Sequence, residues 1–193
     1  ESPAMKLRLF FLALAAAAPL AVHAWDYEGH RIVNQLALAS LPKDFPAFVQ
    51  NRANAERIAF LAGEPDRWRN VPDLPLKQSN GLDHYCDLEQ IPAAGLSYAT
   101  VPALRYVFAA QFAAGRLAHP EQFPAIDETK NQEHSREWCG FAPWASTEYY
   151  GKLRSAFSYL KAFEATYPTT HRRLGPAEEM ANAQDNMVYL MVV

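Results

Sequence analysis

The chain has 193 residues, 50% hydrophobic and 20% charged, with a formal net charge of -3. That length and apolar share suit one well-filled core, and 12% aromatic content with so modest a charge excludes an intrinsically disordered chain. A sequence pI near 6.1 argues against duplex binding through a basic surface, and two cysteines are too few for a disulfide-dense miniprotein or a Cys-rich zinc module.

Glu1 to Ala4 precede Met5 and read as upstream read-through. Lys6 and Arg8 then lead into an apolar run from Leu9 to Val22 that closes on Val22-His23-Ala24. A basic start, a short apolar stretch and small residues before a cut predict a secretory signal peptide over residues 1-24. The run is too short and too Ala-rich for a good transmembrane helix, so no stable membrane anchor is expected. Cleavage after Ala24 would make Trp25 the first mature residue and place the protein in a secreted or periplasmic setting. There Cys86 and Cys139 can pair, or can remain two buried free thiols, since sequence does not fix their separation.

The mature chain reads as helical almost throughout. Ile32, Val33, Leu36, Ala37 and Ala39 form an apolar stripe just after His30. Asp44 is an expected N-cap before Phe45, Phe48 and Val49. Ile58, Ala59 and Leu61 run to an expected stop at Gly63-Glu64-Pro65. Residues 65-102 are rich in Pro, Gly, Asn and Asp and lose periodicity, which predicts a long irregular stretch of functional kind. Leu104, Val107, Phe108 and Leu117 resume a helical face, followed by a polar segment from His119 to Glu137. Pro143 opens the clearest helix, with Tyr149, Leu153, Ala156, Phe157 and Leu160 on one face and Tyr167-Pro168 as its end. Pro176 opens another, striped by Met180, Ala183, Met187, Leu190 and Met191, which stops while still apolar. No strand pattern or internal repeat is visible. The predicted class is all-α.

Trp-Asp-Tyr-Glu-Gly-His at residues 25-30 offers a free α-amine, with a pKa of about 7.7–8.0, and an imidazole five residues on. Asp66 and Arg69 stand in Pro-Asp-Arg-Trp-Arg, and His84 stands between acids in Asp-His-Tyr-Cys-Asp. Asp and His are proper zinc ligands, and a guanidinium suits a phosphate. Each piece also has an ordinary reading. Trp25 packs, His30 is simply hydrogen-bonded, Asp66 pairs with Arg69, and Asp87 closes a turn or caps a helix.

Taken in order, the mature N-terminal Trp25, His30, Asp66-x-x-Arg69 and His84-Tyr85-x-Asp87 resemble the zinc-dependent single-strand-specific nucleases. That family shares an all-helical fold with bacterial zinc phospholipase C. Gly140-Phe141-Ala142-Pro143-Trp144, ahead of an amphipathic helix, is similar to its bacterial members, and the likeness runs from about Trp25 to the end. The resemblance implies up to three zinc ions in a cleft and a metal-bridging water that attacks a phosphodiester. It assigns Trp25 (amine and carbonyl) and His30 to one zinc, and Asp66 and His84 to a second. Arg69 would be catalytic, stabilising transition-state charge. Tyr85 and Asp87 would bind substrate, one by stacking on a base and the other at a base edge. The implied partners are single-stranded nucleic acid or nucleotides, with no protein partner. The family's second ligand cluster has no counterpart here, because His119, His134 and His171 lack its spacing. Residues 25-193 are therefore expected to be the N-terminal part of a single zinc-dependent nuclease domain. A zinc phospholipase C-like hydrolase and a non-catalytic secreted helical binding module are the two alternatives.

Overall fold

The computed structural model describes residues 27–166 and 176–191. Trp25, the signal-peptide expectation over residues 1-24, the Tyr167-Pro168 helix end and His171 lie outside the described residues. Among those described, the chain is helical and has no strand, as the all-α reading expected. The helices are α1 (Tyr27–Ala39), α2 (Ala47–Gln50), α3 (Arg52–Leu61), α4 (Glu64–Arg69), α5 (Leu74–Asp83), α6 (Gln90–Ala93), α7 (Arg105–Ala118), α8 (Ala142–Thr166) and α9 (Pro176–Leu190). Short 3-10 turns lie at Tyr98–Thr100, Pro120–Gln122 and Glu128–Lys130. No described helix is long and apolar enough to cross a membrane.

The stretch expected to be irregular is largely helical, because its prolines open helices instead of ending them. Pro65 lies in the first turn of α4 and Pro75 in the first turn of α5, where the missing N–H has no intrahelical partner to lose. The Asp73 side chain caps α5 by accepting from the Leu76 N–H at 2.9 Å. Asp44 caps nothing, since α2 begins after Pro46 with no side-chain cap. Asn51 does that work for α3, accepting from Asn54 N–H at 2.9 Å.

Two apolar clusters hold the helices. In the first, Phe108 and Phe112 of α7 are fully buried with Leu82, Ile91, Cys139, Phe141 and Trp144. The Phe108 ring stacks on Trp144 with centroids 4.0 Å apart, and the Trp144 indole N–H donates to the Pro102 carbonyl at 2.9 Å. In the second, Val49, Ile58, Leu160, Ala183 and Val188 pack with Met180 and Met191, so α9 closes on α8 and α3. The side chains of Met187 and Leu190 lie outside the described residues.

The apolar stripe expected on α1 does not form its contact face: Ile32 and Leu36 are 52% and 64% exposed. Instead Tyr27, Arg31, Asn34 and Leu38 turn toward α3 and its neighbours. Tyr27 Oη donates to the Phe60 carbonyl at 2.6 Å, Asn34 Nδ2 donates to the Ile58 carbonyl at 3.5 Å, Arg31 pairs with Glu56, and Leu38 meets the second cluster. Polar anchors chose the face, and periodicity alone had not distinguished it. Likewise, of the face expected on α7, Phe108 is buried while Leu104 and Leu117 are 70% and 83% exposed.

One junction positions the site. Phe141 N–H donates to the Leu82 carbonyl at 2.7 Å, Ala142 N–H to Tyr85 at 3.1 Å, and Asp87 N–H to Cys139 at 2.6 Å. Gly140 makes this close approach with φ +89, and a Cβ there would lie 2.2 Å from the Tyr85 carbonyl oxygen. Gly140→Ala is therefore expected to cost about 2 kcal/mol or more, read as a lower denaturant midpoint at unchanged slope. A midpoint equal to wild type would show that the junction yields freely.

Candidate metal centre

Three elements bring the predicted ligands to one carboxylate. Asp66 and Arg69 lie one turn apart on α4, His84 caps the C-terminus of α5, and His30 stands on α1. His30 Nε2 lies 2.8 Å from Asp66 Oδ2, and His84 Nε2 lies 3.1 Å from Asp66 Oδ1. Arg69 Nη2 lies 2.7 Å from the same Oδ1, and the two imidazole rings are 6.5 Å apart and nearly perpendicular. The side chains of Asp66 and His84 are only 16% and 14% exposed. A cleft of about 490 Å³ opens beside them between α1, α5 and α8, lined by His30, Asn34, His84, Ser146 and Tyr149 among others.

Asp66 and His84 bring ligand atoms to one point, while the ligand atoms of His30, Asp66 and His84 do not all lie within 4.8 Å of one another. His84 Nδ1 lies 2.6 Å from the Asn80 carbonyl, which can only accept, so Nδ1 carries a proton. In the neutral ring Nε2 then presents a lone pair toward Asp66 Oδ1. That oxygen is buried and has no hydrogen-bond partner of good geometry, despite its two close nitrogen neighbours. A lone pair facing a carboxylate oxygen needs a positive centre between or beside them, and an imidazole fixed from behind by a carbonyl is how zinc-binding histidines are oriented. A proton on His84 Nε2 would meet the same need. Nitrogen and oxygen donors of this set suit zinc.

The Arg69 pairing that the sequence allowed is present. Its Nε is buried, however, and donates to no acceptor among the described residues. Asn80, four residues before His84, went unread in the sequence because α5 itself was unread. On the cleft's other side Arg105 ties Asp83 at 2.8 Å to Glu148 at 2.9 Å, joining α5, α7 and α8. Burial pushes the Asp83 carboxyl up against the pull of Arg105.

Tyr85 and Asp87 line a different hollow, of about 240 Å³, with Gln90, Ile126, Arg136 and Trp138. The Tyr85 hydroxyl is committed to the Ser135 and Trp138 carbonyls at 3.2 and 3.3 Å, and burial pushes it up to about 12. The Asp87 carboxylate accepts from Gln90 Nε2 at 3.0 Å, and burial with Glu89 nearby pushes it upward. Gln90 Oε1 is buried without a partner. Asp87 caps no helix.

Cys86 is half-buried and Cys139 buried, both as free thiols. Glu128, His134 and Glu137 bring ligand atoms within 4.8 Å of one another. There His134 Nδ1 and Asn131 Nδ2 meet the same Glu137 oxygen at 2.7 and 2.9 Å, and that hydrogen bond raises the His134 pKa. The pairing accounts for this exposed group without an ion. In comparisons with protein families, curated proteins and solved structures, the chain matches none.

Proposed function

We propose that the protein is a zinc-dependent hydrolase of phosphodiesters in single-stranded RNA or DNA, of the zinc nuclease and phospholipase C type. The observation that carries this reading is the Asp66 carboxylate shared by His30, His84 and Arg69 at the edge of a cleft. His30, Asp66 and His84 would hold zinc, with Trp25 as a further ligand. When bound, zinc lowers the pKa of water and neutralises phosphoryl oxygens.

The chain's own groups have distinct tasks in this reading. The Asn80 carbonyl holds the proton of His84 on Nδ1 and keeps Nε2 free to ligate. Asp66 offers both carboxylate oxygens and fixes the Arg69 head group one turn away. Arg69, whose side chain is about a third exposed, stabilises charge building on the phosphoryl oxygens. The hollow of Tyr85 and Asp87 offers a carboxylate suited to the amino edge of a base, which favours a nucleotide over a choline head group.

The test begins with metal analysis of the dialysed protein, followed by assays on single-stranded RNA, single-stranded DNA and phosphatidylcholine with and without chelator. Retained zinc and chelator-sensitive strand cleavage are expected of the full-length protein, and a full-length protein that retains no zinc overturns the reading. Arg69→Ala is expected to lower turnover by about a hundredfold while zinc content holds. If zinc is lost in parallel with rate, Arg69 serves only to hold Asp66.

A further inference from the structure

The two cysteines have no part in that chemistry, yet they occupy the junction that supports it. Asp87 N–H donates to the Cys139 carbonyl at 2.6 Å and Ala142 N–H to the Tyr85 carbonyl at 3.1 Å, so main-chain bonds flank Cys86 on both sides. Gly140, without a Cβ, lets the two backbones meet there. The Cys139 thiol donates to the Gly140 carbonyl at 3.5 Å, and the Asp87 N–H that follows Cys86 reaches the Cys139 carbonyl, so the two residues are neighbours. The chain contains two cysteines, so one intramolecular pairing exists. Cys139 is no catalytic nucleophile in the folded chain: it is fully buried, and burial pushes its thiol up to about 12.

We propose that Cys86 and Cys139 are joined by a disulfide that clamps the turn carrying His84 and Asp87 onto the segment that begins α8. The clamp itself does not depend on the zinc reading, although its consequence for metal retention does. The reaction needs a disulfide donor, either an oxidised dithiol protein or a small-molecule disulfide. The exchange takes place in the folding chain, before Cys139 is buried. Cys86, which stays half-exposed beside an apolar hollow of about 310 Å³ with Leu88, Tyr98 and Pro143, meets the donor first. Its thiolate attacks one donor sulfur, forming a mixed disulfide and releasing a donor thiolate. The Cys139 sulfur then attacks the Cys86 sulfur of that mixed disulfide and expels the second donor thiolate. Two electrons pass from the cysteines to the donor, and the two cysteine protons finish on the donor thiols. Because the folded chain buries Cys139, the bond forms while the chain folds.

Such a bond closes a long loop, spanning Asp87 to Trp138, and so restricts the unfolded chain strongly. It also fixes the main chain two residues after His84, whose Nε2 must meet Asp66 to ligate. Loss of the clamp is expected to weaken zinc retention about tenfold, the scale of losing an orienting partner.

The test refolds the full chain either with oxidised glutathione or with excess reduced dithiol. Each product is then denatured, its thiols are titrated, and its peptides are mapped by mass. The oxidised product should show no free thiol and a Cys86–Cys139 linked peptide, and should melt roughly 5–15 °C above the reduced one. In Cys139→Ser that melting difference should vanish. Free thiols, glutathione adducts or intermolecular links in the oxidised product overturn the proposal, as does an equal melting temperature for both products. Peptide mapping reads the bond whether or not zinc binds. A linked pair in a protein that retains no zinc leaves the clamp standing and removes the metal centre; retained zinc with free thiols does the reverse.

Discussion

Asp66→Ala is expected to weaken zinc retention by more than the roughly 10–100-fold that follows from losing a mere orienting partner. Its carboxylate is the shared neighbour of both imidazoles and of the Arg69 guanidinium, and no other described acid meets both rings. Removing it leaves His84 Nε2 facing space and Arg69 without its counter-ion. The fold should survive, because Arg69 and His30 are each about a third exposed and water can solvate what they lose. Asp66→Asn keeps shape but not charge, so it should fail at metal binding nearly as fully. Asp127→Ala is a suitable control, since Asp127 serves only Thr129 and Lys130 at the surface. The measurement is zinc content after dialysis against a competing chelator, beside the melting temperature of each variant. Zinc affinity unchanged in Asp66→Ala would remove this carboxylate from any metal site.

Phe108→Ala should be the most damaging single change to the fold. Phe108 is 0% exposed, stacks on Trp144 and meets Phe112 and Phe141 edge-on or tilted. Deleting its ring removes transfer energy and leaves a cavity among other rigid rings, a loss of about 3–5 kcal/mol. Against a typical total stability of about 5–15 kcal/mol, that consumes a large part of the whole. The effect should extend to the cleft, because Trp144 sits in the first turn of α8 and Ser146, two residues on, lines the cleft wall. Leu104→Ala, one turn away on the exposed side, should cost no more than about 0.5 kcal/mol. Urea denaturation of both variants checks the contrast; equal losses would mean that the aromatic cluster is not the core of this half.

Some of this architecture was readable from local pattern alone. Residue spacing identified the long helix through Tyr149, Leu153 and Leu160 and the helix opened by Pro176, because each has a broad apolar face and a proline at its start. The candidate ligands were nameable too, since Asp and His in short motifs have few chemical uses beside an arginine. What pattern missed was the helical character of residues 64-83. There Pro65 and Pro75 looked like breakers, while the folded chain uses them as first-turn residues. With α5 unread, the Asn80 carbonyl behind His84 was unread as well.

The sequence by itself determined an all-helical chain, the two long C-terminal helices and the identity of His30, Asp66, Arg69 and His84 as residues with chemistry to offer. Only the tertiary structure decided which faces meet and which groups share a point in space. The apolar residues of α1 did not choose its partner; Tyr27, Arg31 and Asn34 did, through bonds to α3 and its flank. It also separated Tyr85 and Asp87 from the cleft beside His84 and tied the Tyr85 hydroxyl to carbonyls some fifty residues away. Helical periodicity arises from contacts within one turn, so short stretches of sequence carry it. The meeting of α1, α4 and α5 depends on packing and hydrogen bonds between residues distant in the chain, which no local pattern encodes.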